Sequence, residues 1–222
     1  MRARPPAPTT VDRRRRLGAI GLLIGVAALG LPSRGSAAAF DLTELMKQLS
    51  KTRAGEATFV ERRESSMLDR TLESSGRLSF EAPDTFVRET LRPRRDRMAV
   101  TGNTVTMSQG GRSRTMALDA SPEAGVIVEA IRGTLTGNRA ALERLFETTL
   151  SGTAERWTLD LLPRDLRLRG QVASVKIRGE QAVVREIEVL LADGDRSVMR
   201  IEPAARATSG PAPDAAKASG RP

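Results

Sequence analysis

Between Glu56 and Ile201, apolar residues recur at every second position in short runs, and most runs stop at Gly, Asn, Pro or Asp. Side chains spaced this way fall on one face of an extended chain. Such a sequence is therefore confined to short strands with one buried face, joined by tight turns. Ala57 and Phe59 begin the pattern. Leu78 and Phe80 alternate with Arg77, Ser79 and Glu81 before Pro83-Asp84 turns the chain. The return runs from Phe86 to Leu91 and turns again at Arg92-Pro93-Arg94-Arg95. Met98 and Val100 lead to Gly102-Asn103, Val105 and Met107 lead to Gly110-Gly111, and Met116-Leu118 closes the series. After an interruption the pattern resumes through Trp157, Leu159 and Leu161, then Val175 and Ile177, then Ile187, Val189 and Leu191, then Met199 and Ile201. Strands joined in this manner form an antiparallel meander.

The exceptions have a period near 3.6. Leu42, Leu45, Met46 and Leu49 predict an amphipathic helix over 41–53, opened by Asp41 with Glu44 in the manner of a capping box. Ser121-Pro122 opens a second helix, with Val126, Ile127, Ala130 and Ile131 on one face up to Gly133. Gly137-Asn138 opens a third, striped by Leu142, Leu145 and Phe146. The expected fold is α+β: a curved antiparallel sheet of about 10–11 strands, because a long sheet twists and must curl to cover its apolar face. It forms an unclosed barrel with the short helices over its concave face. Such helices can be permanent core or a lid over a cavity, and the pattern fits both.

The two ends differ from the middle. Residues 1–16 are polar and finish in Arg13–Arg16; Leu17–Leu31 is uncharged and apolar; Pro32 and Ser36-Ala37-Ala38-Ala39 follow. Basic, apolar, small is the order of a secretory signal peptide, so residues 1–39 are expected to be cleaved near Ala39. The apolar run is shorter than the roughly 20 residues of a spanning helix. The Arg run also fits twin-arginine export, and the sequence leaves the route open. Residues 40–202 form the folded domain. Residues 203–222 are mostly Ala, Pro, Gly and Ser and are expected to be a disordered tail.

Composition narrows function by exclusion. The formal net charge is +9, yet residues 1–39 alone hold seven Arg against one acid, and the domain is near neutral. Aromatic residues make up 3% of the chain, so few platforms exist for stacking bases, and no nucleic-acid partner is expected. His, Cys and Tyr are absent. That removes His-dependent triads, thiolate nucleophiles, disulfides and the usual zinc ligands. The close carboxylate pairs are Glu186/Glu188 and Asp193/Asp195. The first alternates with an apolar face and so points outward, and the second belongs to an Asp-Gly-Asp turn. No catalytic residue, metal or cofactor is expected.

One segment carries a resemblance. Gly76-Arg77-Leu78-Ser79-Phe80-Glu81-Ala82-Pro83-Asp84-Thr85-Phe86 is similar to the glycine–strand–proline–strand signature of the periplasmic outer-membrane lipoprotein carrier (LolA-like) family. Ala57-Thr58-Phe59 resembles its first strand, and Val100-Thr101-Gly102-Asn103-Thr104-Val105 resembles its hairpin. The resemblance implies a non-enzymatic periplasmic carrier. It would shield the acyl chains of lipoproteins, or a related acylated lipid, between an inner-membrane transporter and an outer-membrane acceptor, acting as a monomer. Typical members place an Arg before the proline to latch the lid; Ala82 stands there in this chain. An exported half-barrel that binds a signalling or sensor protein, without lipid, is the alternative.

The resemblance also turns candidate core residues into a candidate acyl-chain cavity. These are Phe59, Leu78, Phe80, Phe86, Met98, Val100, Met107, Met116, Leu118, Trp157, Leu159, Leu161, Ile187, Val189, Met199 and Ile201. Val126, Ile127, Ile131, Leu142 and Leu145 would form the inner face of the lid, with Gly125, Gly133 and Gly137 as hinge candidates. Arg92, Arg94, Arg95 and Arg97 cluster at one hairpin and are candidates for contact with a partner or an anionic membrane surface.

Overall fold

A computed structural model describes residues 40–65 and 70–204. Helix α1 (Leu42–Leu49) precedes six strands: β1 (Ala54–Glu64), β2 (Leu72–Glu81), β3 (Thr85–Arg92), β4 (Asp96–Thr101), β5 (Thr104–Gln109) and β6 (Arg112–Ala117). A single 3-10 turn (Leu118–Ala120), α2 (Pro122–Leu135) and α3 (Arg139–Leu145) follow. The chain then forms β7 (Phe146–Thr153), β8 (Arg156–Pro163), the one-turn helix α4 (Leu166–Arg169), β9 (Val172–Glu180), β10 (Val183–Leu191) and β11 (Arg196–Pro203).

All eleven strands belong to one antiparallel sheet in the order β6-β5-β4-β3-β2-β1-β11-β10-β9-β8-β7. Each neighbouring pair except β1–β11 is consecutive in sequence, so two meanders are joined along that seam, with Phe59 opposite Ile201. Strands β6 and β7 are the free edges, which leaves the barrel unclosed. Helices α2 and α3 connect those two edges and pack on the inner face of the sheet.

The helix starts follow local chemistry. The Asp41 carboxylate accepts the Glu44 amide at 2.9 Å, and Asn138 Oδ1 accepts the Ala141 amide at 3.0 Å. Pro122 occupies the first turn of α2, as expected, but the Ser121 hydroxyl makes no capping bond. Three assignments differ from the expectation. Phe146 leaves the α3 stripe: it is fully buried as the first residue of β7. Strand β7 itself was invisible to the alternation argument because Thr148 and Leu150 are its only other half-buried residues and just one of them is apolar. Leu118 lies in the 3-10 turn rather than on a strand.

The core has two parts. The larger gathers Leu45, Leu49, Val126, Ala130 and Leu142 from the helices against Trp157, Leu159, Leu161, Val175 and Ile177 of the second meander. The smaller joins Val100, Val105 and Leu118, with Phe86, Met98 and Val128 packed on it. Gly133 and Gly137, hinge candidates in the sequence, are explained by close packing instead. A Cβ on Gly133 would lie 2.7 Å from Leu142 Cδ2, and one on Gly137 would lie 2.2 Å from the Met46 carbonyl oxygen. Gly125 has looser surroundings, with the Leu118 carbonyl oxygen at 3.5 Å.

The signal peptide expected at 1–39 lies outside the described residues, as does the tail beyond Ala204. Strand β11 runs through Pro203, and the Ala204 amide donates to the Glu56 carbonyl at 2.8 Å.

Candidate functional site

Side chains that pair across the strands share a face, and the registers assemble one continuous inner wall. Ala57 is opposite Leu78, Leu78 opposite Arg88, Arg88 opposite Met98, and Met98 opposite Met107. In the other direction Glu61 is opposite Met199, Met199 opposite Ile187, and Ile187 opposite Ile177. Between this wall and α2 lies a cavity of about 900 Å³. Both meanders contribute to it, and Ile127, Val128, Ile131 and Leu135 of α2 cover it.

Of the candidate cavity residues, Leu78, Phe80, Phe86, Met98, Val100, Ile187, Val189, Met199 and Ile201 line this space. The Phe80 and Phe86 rings stack with centroids 5.1 Å apart. The other seven sit elsewhere. Trp157, Leu159 and Leu161 are fully buried in the larger core, because the helices cover that half of the sheet directly. Trp157 also donates its indole N–H to the Gln181 carbonyl at 2.9 Å. Met116 and Leu118 belong to the smaller core. Met107, near the edge of the sheet, is 49% exposed. Phe59 is 2% exposed and lies beneath Arg88, whose guanidinium carbon is 4.9 Å from the ring centre.

On the helices, Ile127 and Ile131 face the cavity, whereas Val126 and Leu142 are core and Leu145 packs against it. Ala57 and Leu191, which belong to the alternating pattern but were not named for the cavity, also line it, as do Val128, Leu135, Val183 and Val184, which the pattern did not mark.

The wall also contains charge. Glu61 is 7% exposed, and both its carboxylate oxygens are engaged by side chains of four strands or their ends. Arg88 Nη2 donates to Oε2 at 2.5 Å, Ser74 Oγ donates to the same oxygen at 3.1 Å, and Ser197 Oγ donates to Oε1 at 2.6 Å. Arg63 Nη2 stands 3.8 Å from Oε1. Burial pushes the Glu61 carboxyl up, but the Arg88 charge above all, with Ser197, Arg63 and Ser74, outweighs it and holds the group below its ordinary value. Glu61, Arg63 and Arg88 all border the cavity. The sequence signal was present but easily misread: Ala57, Phe59, Glu61 and Arg63 share one face, and the two charges make the end of that face look solvated.

Arg92, Arg94, Arg95 and Arg97 are exposed around the β3–β4 hairpin, and none makes a side-chain hydrogen bond or ion pair among the described residues. Glu186 and Glu188 lie on the outer face and are paired: Glu186 with Arg178 and Arg200, Glu188 with Arg178 and Arg196. Asp193-Gly194-Asp195 forms the β10–β11 turn, in which the Asp195 amide donates to Asp193 Oδ1 at 3.0 Å.

Ala82 stands before the proline, and the arginine that bonds α2 to the sheet is Arg132. Arg132 of α2 donates Nη2 to the Gly102 carbonyl in the β4–β5 turn at 2.6 Å and Nη1 to Glu129 Oε1 at 2.5 Å. Its side chain is 19% exposed.

Several solved structures and one family model are similar to this chain. Among solved structures, a LolA superfamily protein from Nitrosomonas europaea, NE2245, is 11% identical, over 74% of this chain and 92% of that one, with a TM-score of 0.40. A lipoprotein-sorting protein domain from Vibrio parahaemolyticus, described as putative and outer-membrane, is 8% identical over 72% and 88%, with a TM-score of 0.41. MucB is 17% identical over 83% of this chain and 64% of its own, with a TM-score of 0.43. No curated protein sequence gives a match. The family model described as "Outer membrane lipoprotein carrier protein LolA-like" matches residues 34–220, which takes in every strand and helix described above. An unclosed eleven-stranded barrel, helices running between its free edges and that match together place this chain in the LolA-like outer membrane lipoprotein carrier family.

Proposed function

We propose that this chain is a periplasmic carrier that shields the acyl chains of lipoproteins, or of a related acylated lipid, between inner and outer membrane. One observation carries the reading. Protein interiors are normally packed without large voids, yet here a space of about 900 Å³ is left between an apolar wall and α2, beside a core half that is fully filled. That volume lies within the usual size range of ligand sites, roughly 300–1,000 Å³. Each methylene moved from water into such a space contributes about 0.8 kcal/mol, so a 16-carbon chain gains on the order of ten kcal/mol before ordering costs.

In this reading Leu78, Phe80, Phe86, Met98, Val100, Ile187, Val189, Met199 and Ile201 hold the chain, and α2 is the lid that admits and releases it. Family membership supports carriage rather than catalysis. Residues 1–39 act as the export signal. Sequencing the N-terminus of the periplasmic form tests this: it should begin at Phe40. The unpaired Arg92, Arg94, Arg95 and Arg97 are suited to meet an acidic transporter, an acidic acceptor or an anionic membrane surface.

The test is mass spectrometry of lipid extracted from the mature protein, purified without detergent from the periplasm of its own host. Stoichiometric acyl lipid or lipoprotein is expected, and Ala57→Trp, which fills the cavity from its wall, should abolish it while leaving the fold intact. A lipid-free wild-type protein that also takes up no added acyl chain would overturn the reading in favour of a half-barrel that binds a protein.

A further inference from the structure

The first meander has a basic end. Registers place the β3–β4 and β5–β6 hairpins side by side, with Asp96 opposite Gln109 and Gln109 opposite Arg112. Between them these hairpins carry Arg92, Arg94, Arg95, Arg97, Arg112 and Arg114 against one acid, Asp96. All six arginines are exposed, and none makes a side-chain hydrogen bond or ion pair among the described residues. The nearest other acids do not cancel them. Glu89 stands opposite both Arg77 and Arg97, so the exposed Arg77 offsets it, and Glu73 is held by Arg62 at 3.1 Å. At the other end of the same strands, residues 81–85, 101–104 and 117–123 contain Glu81, Asp84, Asp119 and Glu123 and no base. The neighbouring α1–β1 connection adds Lys51 and Arg53, which leaves four acids against two bases. This half of the sheet is thus polarised along its strands.

Apolar surface is exposed beside the arginines. Met98 lines the cavity, and Met107, opposite it on the next strand, is 49% exposed and itself opposite Arg114. The apolar wall therefore continues from the cavity onto the open part of the sheet. Leu72, 40% exposed, stands at the same end at the start of β2. None of the six arginines borders the cavity. They are spread over two hairpins and both faces, with Arg97 on the outer face and Arg112 and Arg114 on the inner one, rather than gathered around one cleft.

We infer that this end of the sheet docks on an anionic lipid bilayer, with the arginines on headgroup phosphates and Met107 and Leu72 against the acyl region. A bilayer needs no cleft, supplies phosphates to several guanidiniums at once and takes up exposed apolar side chains beside them. The acidic end is repelled by the same surface, which fixes the orientation. The inference narrows the contact left open in the carrier reading and rests on that reading for its purpose: docking sets the apolar wall of the cavity against the membrane that delivers or receives the chain.

The test is flotation of the mature protein with vesicles of phosphatidylcholine alone, or of equal parts phosphatidylcholine and phosphatidylglycerol. Binding is expected to the anionic vesicles and should weaken as salt rises. Arg94→Gln/Arg95→Gln and Arg112→Gln/Arg114→Gln should each weaken it by about tenfold or more. Arg53→Gln/Arg156→Gln removes the same charge from the opposite end and should leave it unchanged. The chain has no cysteine, so a polarity-sensitive dye can be placed on Met107→Cys, where its emission should shift to the blue on anionic vesicles. The same dye on Asp119→Cys should not shift. Ala57→Trp, with its cavity filled, should bind vesicles like the wild type. Equal losses from the two ends overturn the inference, because net charge alone would then explain binding. Absence of binding to anionic vesicles overturns it in favour of an acidic protein partner and leaves the carrier reading standing. Vesicle binding lost in Ala57→Trp but kept in the arginine variants means that lipid entered the cavity, which overturns docking and supports carriage. Docking by a protein that holds and takes up no acyl chain overturns the carrier reading alone.

Discussion

The contact between Arg132 and the Gly102 carbonyl ties α2 to the sheet, and removing it tests α2 as a lid. It joins the covering helix to the β4–β5 turn through a charge-assisted bond of 2.6 Å made by a side chain that is 19% exposed. A hydrogen bond involving a charged group contributes about 1.5–3 kcal/mol. Arg132→Ala removes it together with the Glu129 ion pair, which is half-buried and adds less. Because each 1.4 kcal/mol is a factor of ten, α2 should open roughly 10 to 150 times more often. Native-state hydrogen exchange followed by mass spectrometry measures this directly on peptides covering Pro122–Leu135. Protection of α2 amides should fall by that factor, while amides of β8 and β9, held under the filled core, keep theirs. If α2 keeps its protection, or if helix and sheet lose it equally, Arg132 is not a local tie and the reasoning fails.

Other consequences follow from the same geometry. Leu159→Ala, in the filled core, should cost about 2–5 kcal/mol in urea unfolding, whereas Leu78→Ala, which already borders empty space, should cost under about 2 kcal/mol; equal costs would mean the space is closed in solution. Gly76→Ala should destabilise by more than about 3 kcal/mol or prevent folding, since its Cβ would lie 1.9 Å from the Glu89 carbonyl oxygen of a paired strand. Glu61→Gln should lower stability at pH 7 by about 1–3 kcal/mol. The folded pKa of Glu61 is lowered, so its contribution is complete above the ordinary value of 4.5 and is lost as pH falls below it. Wild type and variant should therefore converge in acid urea titrations, and a gap that stays constant to low pH would refute the assignment.

The strands were legible because period two survives wherever one face is apolar, as at Leu78-Phe80 and Ile187-Val189. The helices were legible from caps and from Pro122. What escaped follows from how little a pattern records. An apolar inner position reads the same whether it touches neighbours or empty space, so Leu159 and Leu78 were indistinguishable until the helices were placed. Beyond Phe146, strand β7 offers one inward apolar side chain, Leu150, between polar ones, too few to declare a period. Glu61 and Arg88 read as surface residues because charge is expected outside, and only pairing across β1, β2, β3 and β11 brings the two Ser hydroxyls and the guanidinium together around one carboxylate. Arg132 was one basic residue among many, and its partner is a backbone carbonyl with no trace in the side-chain sequence.

The β1–β11 seam has a further consequence, for how the molecule assembles. Every other strand pair joins neighbours in sequence, but Glu61 and Ser197 are 136 residues apart. Each meander can zip up by successive local hairpins, while the seam waits for the last strand to emerge, and closing so long a loop is the slow kind of contact. Until then the outer edge of β1 stays bare and open to pairing with another chain. The interval between formation of the first half-sheet and arrival of residues 196–203 is thus the period in which this protein is most exposed to aggregation. Loss of β11 would make that state permanent.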